Sequence, residues 1–397
     1  MPNTPTSQDR QTTAWPAVFL LWFAGISAAM QFAKFSVSYN DLLEHYQMGP
    51  ALTGASLSVV GIVGLILGAT AGIMAGRIGY RRVLIGSLLF GALLSFIQAL
   101  LPPFEIILLT RVLEGFSQLG VVVAAPTMIA RLSAPHHRSI TMGIWGTFFG
   151  VAFAIAGSAG KFILTHYALS GLYLSHALYI VLMAVLVWRL IDNDEGLYNS
   201  PQANDSESYF RKLARIYQTP RTFLPALVFL FYTCTLVSLL TYIPNFIQSD
   251  TLRLTMQVVL PLMSTVGTFS AGALAQYVMR PQYVAWTAYI ALALGALAVP
   301  YTLDYDHVFS INAAFMIFFL GMIPGAALSM VPRLARNSDE QANGYGLIAQ
   351  LGNLGGAIGP PSFAALISAY GATGMISMIW VICAFGAVFA WMAARTE

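Results

Sequence analysis

Twelve apolar runs, each near the length a helix needs to cross a bilayer, constrain this chain more than any other feature. They fall at about 15–39, 52–75, 82–101, 104–131, 138–164 and 172–191. Six more lie at about 222–247, 254–278, 281–303, 308–332, 342–368 and 374–394. About 20 apolar residues span the hydrocarbon as helix. Inside lipid every backbone N–H and C=O must find a partner within the protein. Runs of this length therefore specify transmembrane helices. The expected fold is all-α and polytopic, with 12 such helices in two six-helix bundles.

Only 9% of the 397 residues are charged and 57% are hydrophobic, whereas soluble proteins carry about 25% charged residues. The deficit runs the whole length, which excludes a soluble domain on a single anchor. The first fourteen residues are polar, and the first apolar run is too long for a signal-peptide core. Cys234 and Cys383 lie inside apolar runs and read as packing residues. There is no metal-ligand spacing, no phosphate-binding glycine loop and no catalytic constellation. The sequence implies no enzyme, no cofactor and no metal. A net charge of +3 scattered over short loops points away from a nucleic-acid partner.

The longest polar segment, 192–221, divides the runs into residues 1–191 and 222–397 and reads as a cytoplasmic linker, with a short amphipathic helix around 209–217. With both termini inside, fifteen of the nineteen Lys and Arg fall on the cytoplasmic side, the bias expected of cytoplasmic loops. The halves also echo one another. Gly72-x-x-x-Gly76 recurs as Gly272-x-x-x-Gln276, and Arg131-Leu132 with Gly143 recurs as Arg333-Leu334 with Gly344. Gly150 and Gly157 recur as Gly352 and Gly359. Internal symmetry of this kind marks repeat-built transporters with a midplane site.

Between the second and third runs stands Gly72-Ile73-Met74-Ala75-Gly76-Arg77-Ile78-Gly79-Tyr80-Arg81-Arg82. It resembles the G-x-x-x-D-R-x-G-x-R-R signature loop of the major facilitator superfamily. Gly72, Arg77, Gly79, Arg81 and Arg82 match, and Gly76 replaces the aspartate. Arg111-x-x-Glu114-Gly115 is similar to the family's R-x-x-[QE]-G pattern on the fourth helix. The fifth helix matches the antiporter glycine-proline pattern only in part, with Gly157 and Lys161 departing from it. The resemblance implies secondary transport by alternating access, a small-molecule substrate, a monomer, and a multi-pass place in the plasma membrane or bacterial inner membrane. It also implies that the loop Gly72–Arg82 is a conformational gate. In the family its acid latches the outward-open state, so Gly76→Asp is expected to shift the resting population outward.

Four Lys, Arg or Glu side chains lie clearly within the spans and not at their ends: Lys34, Arg111, Glu114 and Lys161. Buried charges of this kind face the bundle interior or a wet cavity. Ser27, Gln31, Lys34 and Ser38 share one helix face by their three-and-four spacing. Lys34 either lines the central cavity or snorkels to the outer headgroups; the polar stripe below it favours the cavity. Arg111 and Glu114 pair one turn apart, either as a proton site tuned by the arginine or as a structural ion pair. Lys161 reads as an interfacial anchor. The second half offers neutral polar residues only, among them Tyr242 and Asn245 on the seventh run and Asn353 on the eleventh, where helix packing is the competing role.

These residues together suggest proton-coupled import of a small organic anion. Lys34, Arg111, Gln31, Ser38, Tyr242, Asn245 and Asn353 would bind substrate, and Glu114 would carry the proton. The rivals are a proton-antiport exporter of drugs or metabolites with the same fold, and a non-transporting receptor or channel.

Overall fold

The computed structural model describes residues 12–48, 56, 59–192 and 209–396. Every regular element among them is helical. In chain order the α-helices are α1 (Trp15–Val37), α2 (Tyr39–Tyr46), α3 (Val60–Ile78), α4 (Tyr80–Ala99) and α5 (Phe104–Leu132). Next come α6 (Arg138–Gly146), α7 (Phe148–Ile155), α8 (Lys161–Leu190), α9 (Tyr209–Gln218) and α10 (Pro220–Tyr242). The last are α11 (Asp250–Tyr277), α12 (Pro281–Thr302), α13 (Asp306–Leu334) and α14 (Ser338–Ala394). The linker positions 193–208 and Arg10 lie outside the described residues.

Prolines begin α10 and α12, where a missing N–H costs nothing. Interior prolines such as Pro126, Pro261 and Pro324 are carried within long helices, as membrane helices permit. Leu100, Ile66, Phe162, Leu178, Leu254 and Ile311 stay exposed on the helix surfaces. So much exposed apolar side chain suits a lipid-facing surface.

Ten described helices are long and apolar enough to cross a membrane. The sequence led us to expect twelve separate spans, and the difference has a local cause. Two of the ten, Pro135–Leu190 and Ser338–Ala394, run to 56 and 57 residues. Each contains one residue outside helical geometry: Ala168 (φ 55°, ψ −167°) and Gly371 (φ 58°, ψ −139°). A Cβ on Gly374 would lie 2.1 Å from Leu366 O. Residues eight apart on a straight helix are separated by about 12 Å, so the chain doubles back at Gly371. The two breaks sit roughly two hundred positions apart, the period of the repeat. A π-turn at Ala156–Gly160 joins α7 to α8.

The chain forms two compact units. The first comprises Met1–Pro135, Val151–Arg215 and Asn337–Ala349. The second comprises His136–Gly150, Ile216–Arg336 and Gln350–Glu397. Each unit thus takes most of one half of the sequence and a short segment from the other.

Glycines explain how those short segments fit. In the first unit a Cβ on Gly72 would lie 2.7 Å from Ala342 O and from Asn343 Cα, and one on Gly346 would meet Gly68 O at 2.3 Å. In the second unit a Cβ on Gly272 would lie 2.6 Å from Gly143 Cα. Gly72 and Gly272 are repeat partners, so the same close helix approach is made twice. Small residues allow backbones to approach in this way. In the second unit Ser139 N donates to Gln276 Oε1 at 3.0 Å, at the position equivalent to Gly76. The core of that unit includes Tyr289, whose Oη donates to Val228 O at 2.6 Å and whose ring lies against Gly386.

Candidate functional site

The polar stripe on α1 faces protein. Ser27, Gln31, Lys34 and Ser38 are all buried, with Lys34 at 0% exposure. They meet α4, α5 and α8 inside the first unit. Lys34 Nζ donates to Glu114 Oε1 at 2.7 Å, to Ser95 Oγ at 2.8 Å and to Gln98 Oε1 at 2.6 Å. An ammonium has three hydrogens, and these three bonds use them all.

Arg111 holds the other carboxylate oxygen. Its Nη1 donates to Glu114 Oε2 and, at 2.8 Å, to Gln31 O. Its Nε donates to Ser56 O at 2.7 Å. The guanidinium lies 4.1 Å from the Phe35 ring centroid, and Phe35 stacks on Tyr173 at 5.2 Å. Aromatic faces attract such cations. Lys34, Arg111 and Glu114 all have side chains at 0% exposure. Among the described residues, then, two cations share one bridging carboxylate in the buried interior. Breaking such a pair from one side costs about 3–5 kcal/mol.

The shell around the trio is largely satisfied. Gln98 Nε2 donates to Thr110 Oγ1 at 3.0 Å, and Gln31 Nε2 to Ser117 Oγ at 3.0 Å. Ser38 Oγ bonds to Lys34 O at 2.7 Å and lies 3.3 Å from Tyr173 Oη. Gln31 Oε1 and Gln118 Oε1 are buried acceptors with no partner among the described residues. His176 joins the network through Ser95 and Ser27.

Lys34, Arg111, Glu114, Gln31 and Ser38, named from the sequence, are therefore brought together. Lys161 is exposed at the start of α8. Tyr242, Asn245 and Asn353 belong to the second unit. There Tyr242 Oη donates to Pro360 O at 3.2 Å, Asn245 is exposed in a short turn after α10, and Asn353 is half-buried on α14. Thr235 and Ser238 turn their hydroxyls to their own helix, at Phe231 O and Cys234 O. Sequence reasoning missed Ser95, Gln98 and His176. A signal was present for the first two, which stand three apart in the apolar second half of α4.

The loop at Gly72–Arg82 turns on Gly79, whose φ of 103° explains the glycine. Arg81 donates to Ile191 O at 2.7 Å and Trp188 O at 2.6 Å, capping the end of α8. Tyr80 Oη donates to Ser338 O at 3.1 Å and to Asp339 Oδ1 at 3.2 Å. Arg131 donates to Ser338 Oγ at 2.8 Å and stacks over Tyr80 at 4.7 Å. Asp339 Oδ1 would lie 2.9 Å from a Cβ on Gly76. The sequence left Gly76 as a lost charge contact; the structure puts an acid from α14 against that position, still within the first unit.

The family model of the Major Facilitator Superfamily matches residues 21–360. This chain belongs to the major facilitator superfamily. It is 29% identical over 174 residues to the inner membrane transport protein YajR of Escherichia coli (strain K12), covering 42% of this chain and 38% of YajR. It is 22% identical over 200 residues to the niacin transporter NiaP of Acinetobacter baylyi (strain ATCC 33305 / BD413 / ADP1), covering 49% of this chain and 45% of NiaP. Each alignment spans less than half of the relative's own length. Solved superfamily structures share the fold over nearly the whole chain. FucP in its outward conformation gives a TM-score of 0.74 at 16% identity, over 94% of this chain and 98% of FucP. The proton:xylose symporter XylE gives 0.74 at 15% identity, over 96% and 95%. The human organic anion transporter MFSD10 gives 0.74 at 16% identity, over 95% and 99%.

Proposed function

We propose that this chain is a secondary transporter that imports a small organic anion together with protons. It works by alternating access, residues 1–191 rocking against 222–397 as a multi-pass monomer in the plasma membrane with both termini cytoplasmic. The observation that carries this reading is the single Glu114 carboxylate bridging Lys34 and Arg111.

Glu114 acts as a built-in stand-in for the substrate's carboxylate. While it is ionised, both cations are occupied and the cluster carries one net positive charge among the described residues. When a proton from water adds to the carboxylate, two cations lose their shared counter-ion. An arriving anion then takes the place of Glu114, with Gln31 and Ser38 beside it. A proton alone would raise the cluster to two net positive charges, which is costly in lipid, and the anion brings it back to one. The anion in turn gains both cations only once protonated Glu114 has released them. Release reverses the exchange: the anion leaves, the proton returns to water and Glu114 closes on Lys34 and Arg111. Tyr242, Asn245 and Asn353 are further substrate-binding residues in this reading, and the loop Gly72, Gly76, Arg77, Gly79, Arg81 and Arg82 serves as the gate. That the same fold carries organic anions in MFSD10 and protons with sugar in XylE supports the reading.

The test is uptake into proteoliposomes with an acidic exterior, using radiolabelled lactate, succinate and benzoate. At least one should accumulate with the proton gradient and stop when it collapses. Glu114→Gln should keep anion exchange and lose gradient-driven accumulation. No carboxylate uptake, together with proton-driven efflux of ethidium, would establish the exporter instead.

A further inference from the structure

His176 has no role in the transport cycle above, yet both of its ring nitrogens are bonded within the cluster. Nε2 lies 3.0 Å from Ser27 O, and Nδ1 lies 3.0 Å from Ser95 Oγ. A carbonyl oxygen only accepts, so Nε2 carries a hydrogen. The Lys34 ammonium only donates, so at 2.8 Å it gives a hydrogen to Ser95 Oγ. The Ser95 hydroxyl then has two acceptors within reach: His176 Nδ1 at 3.0 Å and Glu114 Oε1 at 3.4 Å. The shorter contact goes to the ring. Around it stand Lys34 on α1, Gln98 on α4, Arg111 and Glu114 on α5, and Tyr173 one turn earlier on α8.

We propose that His176 is a positioning residue for the Lys34–Glu114 pair, acting through Ser95. Its Nε2–H tautomer, pinned by Ser27, turns the Ser95 hydroxyl toward Nδ1. The Ser95 oxygen thereby presents its lone pairs to Lys34. Ser95 and Gln98 form a cradle that holds the ammonium in place even when Glu114 turns away. Without the ring acceptor, the hydroxyl swings to Glu114 and competes with Lys34 for the same carboxylate oxygen. Which nitrogen of a histidine holds the proton is commonly fixed by the partner of the other one. The consequence for transport rests on the coupling scheme proposed above; the hydrogen-bond assignment does not.

Two measurements test this separately. The full chain, labelled with ¹⁵N-histidine in nanodiscs, contains six histidines, and the His176 signals are those lost in His176→Gln. We expect a neutral Nε2–H ring between pH 6 and 8, and an Nδ1 resonance that moves toward its unbonded value in Ser95→Ala. An Nδ1–H tautomer, an imidazolium, or an Nδ1 signal unmoved by Ser95→Ala would overturn the proposal. The second measurement compares His176→Asn with His176→Gln in uptake of whichever of lactate, succinate or benzoate the wild type carries. Asn places an acceptor near the Nδ1 position, and Gln keeps only the donor toward Ser27. His176→Asn should hold the wild-type KM within roughly twofold, while His176→Gln should raise it about tenfold, the size expected from losing one hydrogen bond beside a charge. The reverse order would show that the ring serves only Ser27, and would sink the proposal. If the wild type carries none of the three anions, the transport reading fails and the resonance experiment still decides the assignment.

Discussion

Asp339 Oδ1 lies 2.9 Å from the point where Gly76 would carry a Cβ. An aspartate at 76 would bring two carboxylates together at the end of α3. Like charges at such range repel, so Gly76→Asp should release Ser338–Gly346 from α3 and not tighten it. Spin labels at Met74 and Asn337, both in the first unit, with Cys234 and Cys383 replaced by Ala, should report a longer and broader distance in Gly76→Asp. Adding Asp339→Asn should restore the original distribution. An unchanged distance in Gly76→Asp would refute the repulsion.

The Lys34–Glu114 bond predicts a strong non-additivity. Glu114→Gln leaves two buried cations without their counter-ion and should cost about 3–5 kcal/mol, whereas Lys34→Met leaves the Arg111–Glu114 pair balanced and should cost less. The double variant should cost less than the sum of the two, with a coupling energy of about 0.5–3 kcal/mol. Thermal unfolding in detergent measures all three. Millimolar benzoate should raise the Tm of Glu114→Gln more than that of the wild type, because the external carboxylate replaces the missing one. Equal shifts would argue against Glu114 as a stand-in.

Ala168 occupies backbone space that essentially only glycine enters freely, with φ 55° and ψ −167°. Ala168→Gly should raise stability by about 1 kcal/mol by relieving the strain. Gly371→Ala, its counterpart in the second half, should lower it by a similar amount. A scan of the two variants by differential fluorimetry checks the opposite signs.

Tyr46 sits beyond the end of α1, on α2, and its Oη donates to Pro102 O at 2.8 Å. Burial pushes this phenol up to about 12. A phenol raised in the folded chain stabilises it fully below the free value of about 10 and loses that contribution as pH climbs through 12. Tyr46→Phe should therefore unfold at a lower temperature than the wild type at pH 8, with the gap narrowing between pH 10 and 12. A gap that stays constant would remove the phenol from the account.

Much of this architecture was legible because lipid imposes one rule on every span. Apolar length locates the helices, and Gly79 announces its own turn. Local spacing exposed Arg111 and Glu114, which stand three apart on one helix. It could not join Lys34 to Glu114, because nothing in the spacing of α1 reveals what α5 or α4 presents to it. For the same reason the stripe from Ser27 to Ser38 was readable as a polar face, while its partners Ser95, Gln98 and His176 were not. The substitution at Gly76 looked like a missing contact, since its replacement at Asp339 lies in the other half of the chain. The break at Ala168 falls in the gap between the runs ending at 164 and beginning at 172, although an alanine by itself gives no sign that it will take a glycine's conformation.

The first unit includes Asn337–Ala349, which covers the glycine face at Gly68 and Gly72. A ribosome adds about 5–20 residues per second. That face is therefore made on the order of tens of seconds before the segment that seals it. During that interval it is open to lipid, to chaperones and to mispairing with neighbouring helices. Completing the first unit thus waits until Ile216–Arg336 of the second have been made.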